Sequence, residues 1–194
     1  AIPVGSSARV VAADETAARQ AAERMAADLA REYAAADPGL RVEVTACTAS
    51  ETPMDKASTE RAVCLLTCLP NGIQAMSMDI PGLVQTSLNL GVLTTTEDCL
   101  TATFCVRSSV GSQKTMLHRR LRALMAQLGG TAEISGDYPA WEYRPDSPLR
   151  DLMTEVFREQ YGREPQIEAI HAGVECGILA GKLPGLDCVS IGPD

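Results

Sequence analysis

One arginine and one short loop carry the side chains in this sequence whose types and spacing best suit chemistry. Arg107 follows a run in which Phe104 and Val106 alternate with polar residues, so we expect it at a strand end, on the opposite face from those two side chains. A guanidinium fixed there is a rigid fork suited to a carboxylate, such as the C-terminus of a peptide. The alternative is a solvated surface arginine, because isolated exposed charges are the norm.

The loop at 171–177 reads His-Ala-Gly-Val-Glu-Cys-Gly. We expect a strand to end at His171 and a helix to begin at Glu175, with two glycines that permit close backbone approach. This arrangement is typical of sites at the strand ends of α/β sheets. A structural role fits the same residues, since His171 could cap the strand and Glu175 could complement the positive end of the helix dipole. The sequence leaves both interpretations open.

The remaining reactive side chains form no recognisable site. His118 has no second metal ligand at helical spacing, so it is expected on the solvated surface. The seven cysteines match neither a Cys-x-x-Cys redox pair nor a common zinc set, and we expect reduced, buried thiols, with Cys64 and Cys68 packing like alanines in a helix. A thiol enzyme using Cys176 is disfavoured because no base has an evident claim to activate it.

The charge balance argues against several classes of partner. A net charge of −8 and a pI near 4.8 do not suit nucleic acid or an anionic membrane, because affinity for phosphate needs clustered lysines and arginines. No apolar run approaches the ~20 residues that span a bilayer, and the pattern of a secretory signal is missing. The sequence therefore predicts a cytoplasmic protein with neither nucleic-acid nor membrane partners.

The elements that would position Arg107 form an α+β pattern. Apolar periodicity predicts strands at 6–13, 42–46, 84–92, 100–106 and 131–135, and helices at 14–36, 56–69 and 114–128, with a loop at 70–82. This order suits a ferredoxin-like domain, in which a four-stranded antiparallel sheet carries helices on one face, with one inserted helix.

A second domain is predicted to begin near Gly136, where an irregular stretch interrupts the pattern. Ser147 and Pro148 are typical of the cap and first position of a helix, which should continue to Tyr161. Strands at 166–171 and 187–191 flank a short helix after Glu175. Residues 1–136 would therefore form one domain, and 137–194 an α/β fragment too small to stand alone.

Five motifs together resemble the aminoacyl-histidine (Xaa-His) dipeptidases. They are Ser-Leu-Asn-Leu-Gly at 87–91, Val-Arg-Ser-Ser at 106–109, Gly-Asp-Tyr-Pro-Ala-Trp at 136–141, the loop at 171–177, and Asp-Cys-Val-Ser-Ile-Gly-Pro at 187–193. All five occur in the family's order and spacing over almost the whole chain. The chain corresponds to less than half of the family's length, and Val174 stands where the family usually has leucine.

The resemblance implies an architecture and a set of roles. In the family, a catalytic domain with two zinc ions is interrupted by a ferredoxin-like lid domain that also makes the homodimer contact. Residues 1–136 would be that lid, and 137–194 the returning segment of the catalytic domain. Arg107 would hold the carboxylate of a dipeptide substrate, and the loop with His171 and Glu175 would line the substrate cleft. Lid closure would exclude water from the reaction.

The resemblance also implies that the parent protein carries groups this chain lacks. The family's His-x-Asp pair, its adjacent glutamates, a further ligand aspartate and its last ligand histidine do not occur here. Because a two-metal hydrolase needs them to bind both ions and activate water, we expect neither a catalytic residue nor a bound metal in this chain alone. The alternative function is a stand-alone ferredoxin-like module for dimerisation or ligand binding, which should not need residues 147–194.

Overall fold

The computed structural model of the chain describes residues 3–48, 52–169, 171 and 175–192. The chain divides into two compact units, Gly5–Thr59 and a larger one made of Ala1–Val4 and Glu60–Asp194. The described residues form a mixed fold of helices and one antiparallel sheet. Its elements are α1 Glu15–Glu32, α2 Lys56–Cys68, β1 Gly72–Met76, β2 Val84–Thr95, β3 Leu100–Ser108, α3 Gly111–Gln127, α4 Pro148–Tyr161 and α5 Glu175–Lys182. Within the described ranges, no helix is both long and apolar enough to cross a bilayer.

The smaller unit is built around α1. Asp14 caps the helix, and its carboxylate accepts a hydrogen bond of 2.9 Å from the backbone N–H of Ala17. The guanidinium of Arg19 donates to the carbonyl of Val44 at 3.0 Å, which ties the helix to the chain that follows it. Met25 is 50% exposed and no residue of α1 is fully buried, so this helix is only partly covered.

Several predicted strands are absent from the described residues. The segments at 6–13, 42–46 and 131–135 are irregular, as are the described parts of 166–171 and the segment at 187–191. A period-two pattern becomes a strand only where a partner supplies the ladder hydrogen bonds, and these segments have no such partner among the described residues. The sheet that is present therefore has three strands, in the order β1-β2-β3.

Strand β1 lies where the sequence predicted a loop. Gly72 has a φ of +79°, a left-handed conformation that turns the chain out of α2 and into the strand. The side chain of Asn71 accepts a hydrogen bond of 2.9 Å from the backbone N–H of Leu90, which fixes the turn against β2. The residues of β1 do not alternate between apolar and polar, and its pairing with β2 contains register shifts. The strand could therefore not be recognised from the sequence.

Strands β2 and β3 form the predicted hairpin, with one irregularity. Leu88 pairs with Val106 and Leu90 with Phe104, but the register then shifts at Gly91, so that Val92 pairs with Thr103. A bulge of this kind moves the following side chains to the other face of the sheet. The prediction that Val92 continues the apolar face of Leu88 and Leu90 is therefore wrong.

The core of the larger unit lies between the hairpin and its helices. Leu88 is fully buried, and Leu65 of α2 and Leu117 of α3 are each 5% exposed. Helix α3 packs against β3. Leu66 is 43% exposed, so only one side of α2 is covered.

Residues 137–194 contain the two helices predicted there, α4 and α5. Ser147 accepts a hydrogen bond from the backbone N–H of Arg150 at the start of α4, and Gly162 ends that helix with a φ of +66°. Helix α5 lies close to the backbone at Pro139. A Cβ added to Gly177 would be only 2.8 Å from the carbonyl oxygen of Pro139. The expectation that Gly177 permits close approach is confirmed, whereas Gly173 lies outside the described residues.

Candidate functional site

Ser87 and Arg107 are direct partners in the β2–β3 ladder, and both lie near the same end of the hairpin. Their neighbours Leu88 and Val106 form the adjacent pair, so alternation places Ser87 and Arg107 on the face away from the core. Directly opposed residues hold their Cβ atoms about 5 Å apart. The predicted position of Arg107, at a strand end on the outer face, is confirmed.

His171 reaches this face from the returning segment. Its Nε2 lies 2.9 Å from Oγ of Ser87, a hydrogen bond that joins positions 84 residues apart. Neither the residue spacing nor the helix and strand periodicity could reveal this contact, and Ser87 was not singled out from the sequence. The hydrogen bond places the imidazole beside the strand pair that carries Arg107.

The surroundings of His171 favour its neutral imidazole. Burial lowers the pKa of His171 below its usual value, and the positive charge of Arg107 lowers it further. No carboxylate of the described residues lies within ion-pairing distance of Arg107. The site therefore combines an available guanidinium with a neutral ring that can both donate and accept a hydrogen bond.

Arg107 and His171 both line a cavity of about 630 Å³. It is lined by β3, by one side of α3, by the end of α2 and by the segment at 130–138. A volume of this size is ordinary for a small-molecule site. His118, predicted on the solvated surface, is instead partly buried at this cavity. The prediction failed because helical spacing cannot reveal a wall contributed by a distant segment.

Lys114 of α3 binds the end of the segment at 130–138. Its ammonium lies 2.6 Å from the carboxylate of Asp137, donates to the carbonyl of Tyr138 and sits 5.6 Å from the centre of the Tyr138 ring. The hydrogen bond from Lys114 is the main reason that the pKa of Asp137 is lowered. Nearby, Glu142 accepts a hydrogen bond of 3.0 Å from the backbone N–H of Gly111. The sequence did not predict the contacts of Asp137 or Glu142, although Asp137 lies in one of the five motifs.

Glu175 occupies the first position of α5 and is exposed. The described residues contain no hydrogen bond or ion pair between it and either Arg107 or His171. Residues 172–174, which join His171 to Glu175, lie outside the described residues. The structure thus brings Arg107 and His171 together, and it does not add Glu175 to their contacts.

The thiols differ from their prediction. Cys64 and Cys68 are both exposed, because they lie on the uncovered side of α2. Cys176 is buried, and burial together with the neighbouring Cys188 raises the pKa of its thiol. All seven cysteines are free.

Among the described residues, no three His, Cys, Asp or Glu side chains come together in a way that could hold a metal ion. This part of the chain does not fit a zinc centre by itself. What the site offers a ligand is therefore the hydrogen bonding and charge of Arg107, His171 and Ser87.

Comparison with known proteins finds two dipeptidases similar to this chain. No family model matches the chain. The chain is similar to the cytosol non-specific dipeptidase of Escherichia coli (strain K12), with 37% identity over 129 residues, which are 66% of this chain and 27% of that protein. It is also similar to the crystal structure of aminoacylhistidine dipeptidase from Vibrio alginolyticus, with a TM-score of 0.81 and 30% identity.

The structural match covers 92% of this chain but only 36% of the Vibrio protein. The chain thus spans about a quarter to a third of the relatives it matches. Both matches are to dipeptidases, and they support the family that the five motifs predicted, with this chain similar to a segment of its longer members.

Proposed function

We propose that this chain forms the part of a metal-dependent dipeptidase that binds the carboxylate of Xaa-His-type dipeptides. The observation that carries the proposal is that Arg107, from the hairpin, and His171, from the returning segment, line one cavity. Two of the five motifs thereby meet at one place. The names of both relatives, each a dipeptidase, support the same class of substrate.

In this proposal Arg107 is the anion-binding group. Its fork pairs with the two oxygens of a C-terminal carboxylate, and it has no competing carboxylate among the described residues. His171, held neutral, donates a hydrogen bond to the same ligand without adding a second positive charge. The role of Glu175, at the start of α5, rests on the family resemblance alone, by which it would line the substrate cleft. Together these groups orient the dipeptide, which is the contribution that positioning makes to catalysis.

The parent protein completes the active site. We propose that residues 1–136 belong to a ferredoxin-like lid, and that 137–194 return to the catalytic domain. Polypeptide outside this chain would hold two zinc ions, which supply an activated water. The lid would pair two protomers, and the protein would be cytoplasmic, as the name of the Escherichia coli relative suggests.

A pair of substrates tests the role of Arg107 in the full-length protein. For a dipeptide with a free C-terminal carboxylate, Arg107→Gln should lower kcat/KM by about 10- to 100-fold, the range for hydrogen bonds to charged groups. For the C-terminal amide of the same dipeptide, the loss should be small. Arg120→Gln, an exposed arginine on α3, is the matched control. An Arg107→Gln enzyme that still prefers the carboxylate as strongly as the wild type would refute the proposal.

The stand-alone module is the competing function. It predicts that a chain ending at Gly136 remains folded and keeps its ligand. Residues after Gly136 make hydrogen bonds with β2 and α3, and these bonds argue against an independent module. His171 bonds to Ser87, Asp137 to Lys114 and Glu142 to Gly111. A truncated chain with an unchanged Tm would favour the module.

A further inference from the structure

Ser87 is joined to both groups of the proposed carboxylate site. Its Oγ is hydrogen-bonded to Nε2 of His171 at 2.9 Å, and its ladder partner is Arg107. Ser87 is half-buried, and it lies on the same outer face of the sheet as Arg107. The residue paired with Arg107 therefore also carries the hydroxyl that contacts the imidazole.

The protonation of His171 determines what that hydroxyl can do. A neutral imidazole has one nitrogen that donates and one that accepts, whereas a serine hydroxyl can take either role. The proton could therefore lie on Nε2 and be donated to Ser87, or lie on Nδ1 while Ser87 donates to Nε2. Heavy-atom positions alone do not distinguish these two tautomers.

The charge of Arg107 selects between them. A guanidinium has only donors and attracts the lone pairs of a nearby hydroxyl oxygen. With its lone pairs toward the cation, Ser87 directs its O–H away from Arg107 and toward Nε2. The remaining proton of the ring then lies on Nδ1.

We propose that Ser87 is a positioning residue that holds His171 as the neutral Nδ1–H tautomer, with the hydroxyl of Ser87 donating to Nε2. This inference rests on the proposed function, since it assigns the protonation of the same carboxylate site. Its consequence is that the ring enters the site with one fixed donor, Nδ1–H, beside the guanidinium. Arg107 and Nδ1–H of His171 then both present donors to an anionic ligand.

The surrounding charges leave Arg107 as the main electrostatic influence on the ring. The charged or titratable groups that line the cavity with His171 are Arg107, Lys114, His118, Glu133 and Asp137. Burial lowers the pKa of His171 most, and of these groups the charge of Arg107 lowers it further. Lys114 is already paired with Asp137.

Nitrogen NMR of the imidazoles tests the proposal on this chain. The sequence has only two histidines, so ¹⁵N-labelled rings give two sets of signals, and His118→Gln identifies those of His171. The wild-type chain should show His171 mainly as the Nδ1–H tautomer. Ser87→Ala should shift it toward the Nε2–H form that free histidine prefers in water and should raise its pKa, because a donor to Nε2 favours the neutral ring.

Two further variants make the result decisive. Ser87→Thr keeps a hydroxyl and should restore the wild-type tautomer, whereas Thr94→Val removes an exposed hydroxyl from the same hairpin outside the cavity and should change nothing at His171. The signals of His118 report whether each variant remains folded. A wild-type Nε2–H tautomer, or a Ser87→Ala chain with an unchanged tautomer ratio, would overturn the proposal. Either result is independent of the carboxylate-versus-amide test of Arg107, so failure of the proposed function would be seen separately.

Discussion

The side chain of Ser147 donates a hydrogen bond of 2.8 Å to the carboxylate of Asp187, while its oxygen accepts one from the backbone N–H of Arg150. The same carboxylate accepts from the backbone N–H of Leu149 at 2.9 Å. These bonds lower the pKa of Asp187, the bond from Leu149 contributing most. The cap of α4 thus also anchors the segment that begins at Asp187.

Removing the hydroxyl of Ser147 should destabilise the chain. Ser147→Ala removes a helix cap that is 4% exposed and should cost about 0.5–2 kcal/mol of unfolding free energy. Urea unfolding measures the loss. Ser147→Thr keeps the hydroxyl and should recover most of the stability, and equal losses in the two variants would argue against the cap.

Leu88 should be among the most sensitive core positions. It is fully buried in β2, so Leu88→Ala should lower the free energy of unfolding by about 2–5 kcal/mol through lost burial and the cavity it leaves. Leu66→Ala is the control, because that side chain is 43% exposed and should lose far less. Comparable losses in the two variants would contradict the assigned core.

The pH dependence of stability should report the neutral state of His171. Because its folded pKa is lowered, this group leaves stability intact above its ordinary pKa of about 6.5. As the pH falls through that value toward the folded pKa, the unfolded chain binds a proton that the folded chain does not, and stability is lost.

Arg107→Gln tests the cause of that loss. The variant removes the nearby positive charge, so the pKa of His171 should rise and the loss of stability on acidification should become smaller. Burial remains as the larger cause, so the shift should be partial. Urea titrations at stepped pH in the two chains measure the difference, and identical pH profiles would show that the charge has no effect.

The rate of alkylation should differ among the cysteines according to their pKa and burial. Hydrogen bonds from Thr96 and Thr101 lower the pKa of the exposed Cys99, which should therefore react fastest with iodoacetamide at neutral pH. Cys64 should react more slowly, because its hydrogen bond with Cys68 raises its pKa. Buried Cys176 should be slowest. Peptide mass spectrometry over time gives the order, and rapid labelling of Cys176 in the folded chain would contradict its burial.

Local patterns carried much of the fold. Ser147 and Pro148 marked the start of α4, and apolar periodicity predicted α3, because caps and periodicity depend on residues a few positions apart. Strand predictions failed more often. The segments at 42–46 and 131–135 alternate like strands, but alternation indicates only which face is apolar, whereas a ladder needs a partner strand that the pattern does not identify.

The sequence by itself determined the donor chemistry of the site and its family, since Arg107, His171 and the five motifs are readable without coordinates. Only the tertiary structure decided that Ser87 contacts His171 and that both lie with Arg107 on one face of the hairpin. The reason is physical: a hydrogen bond between residues 84 positions apart depends on how the returning segment packs against the sheet, and no local spacing encodes that packing.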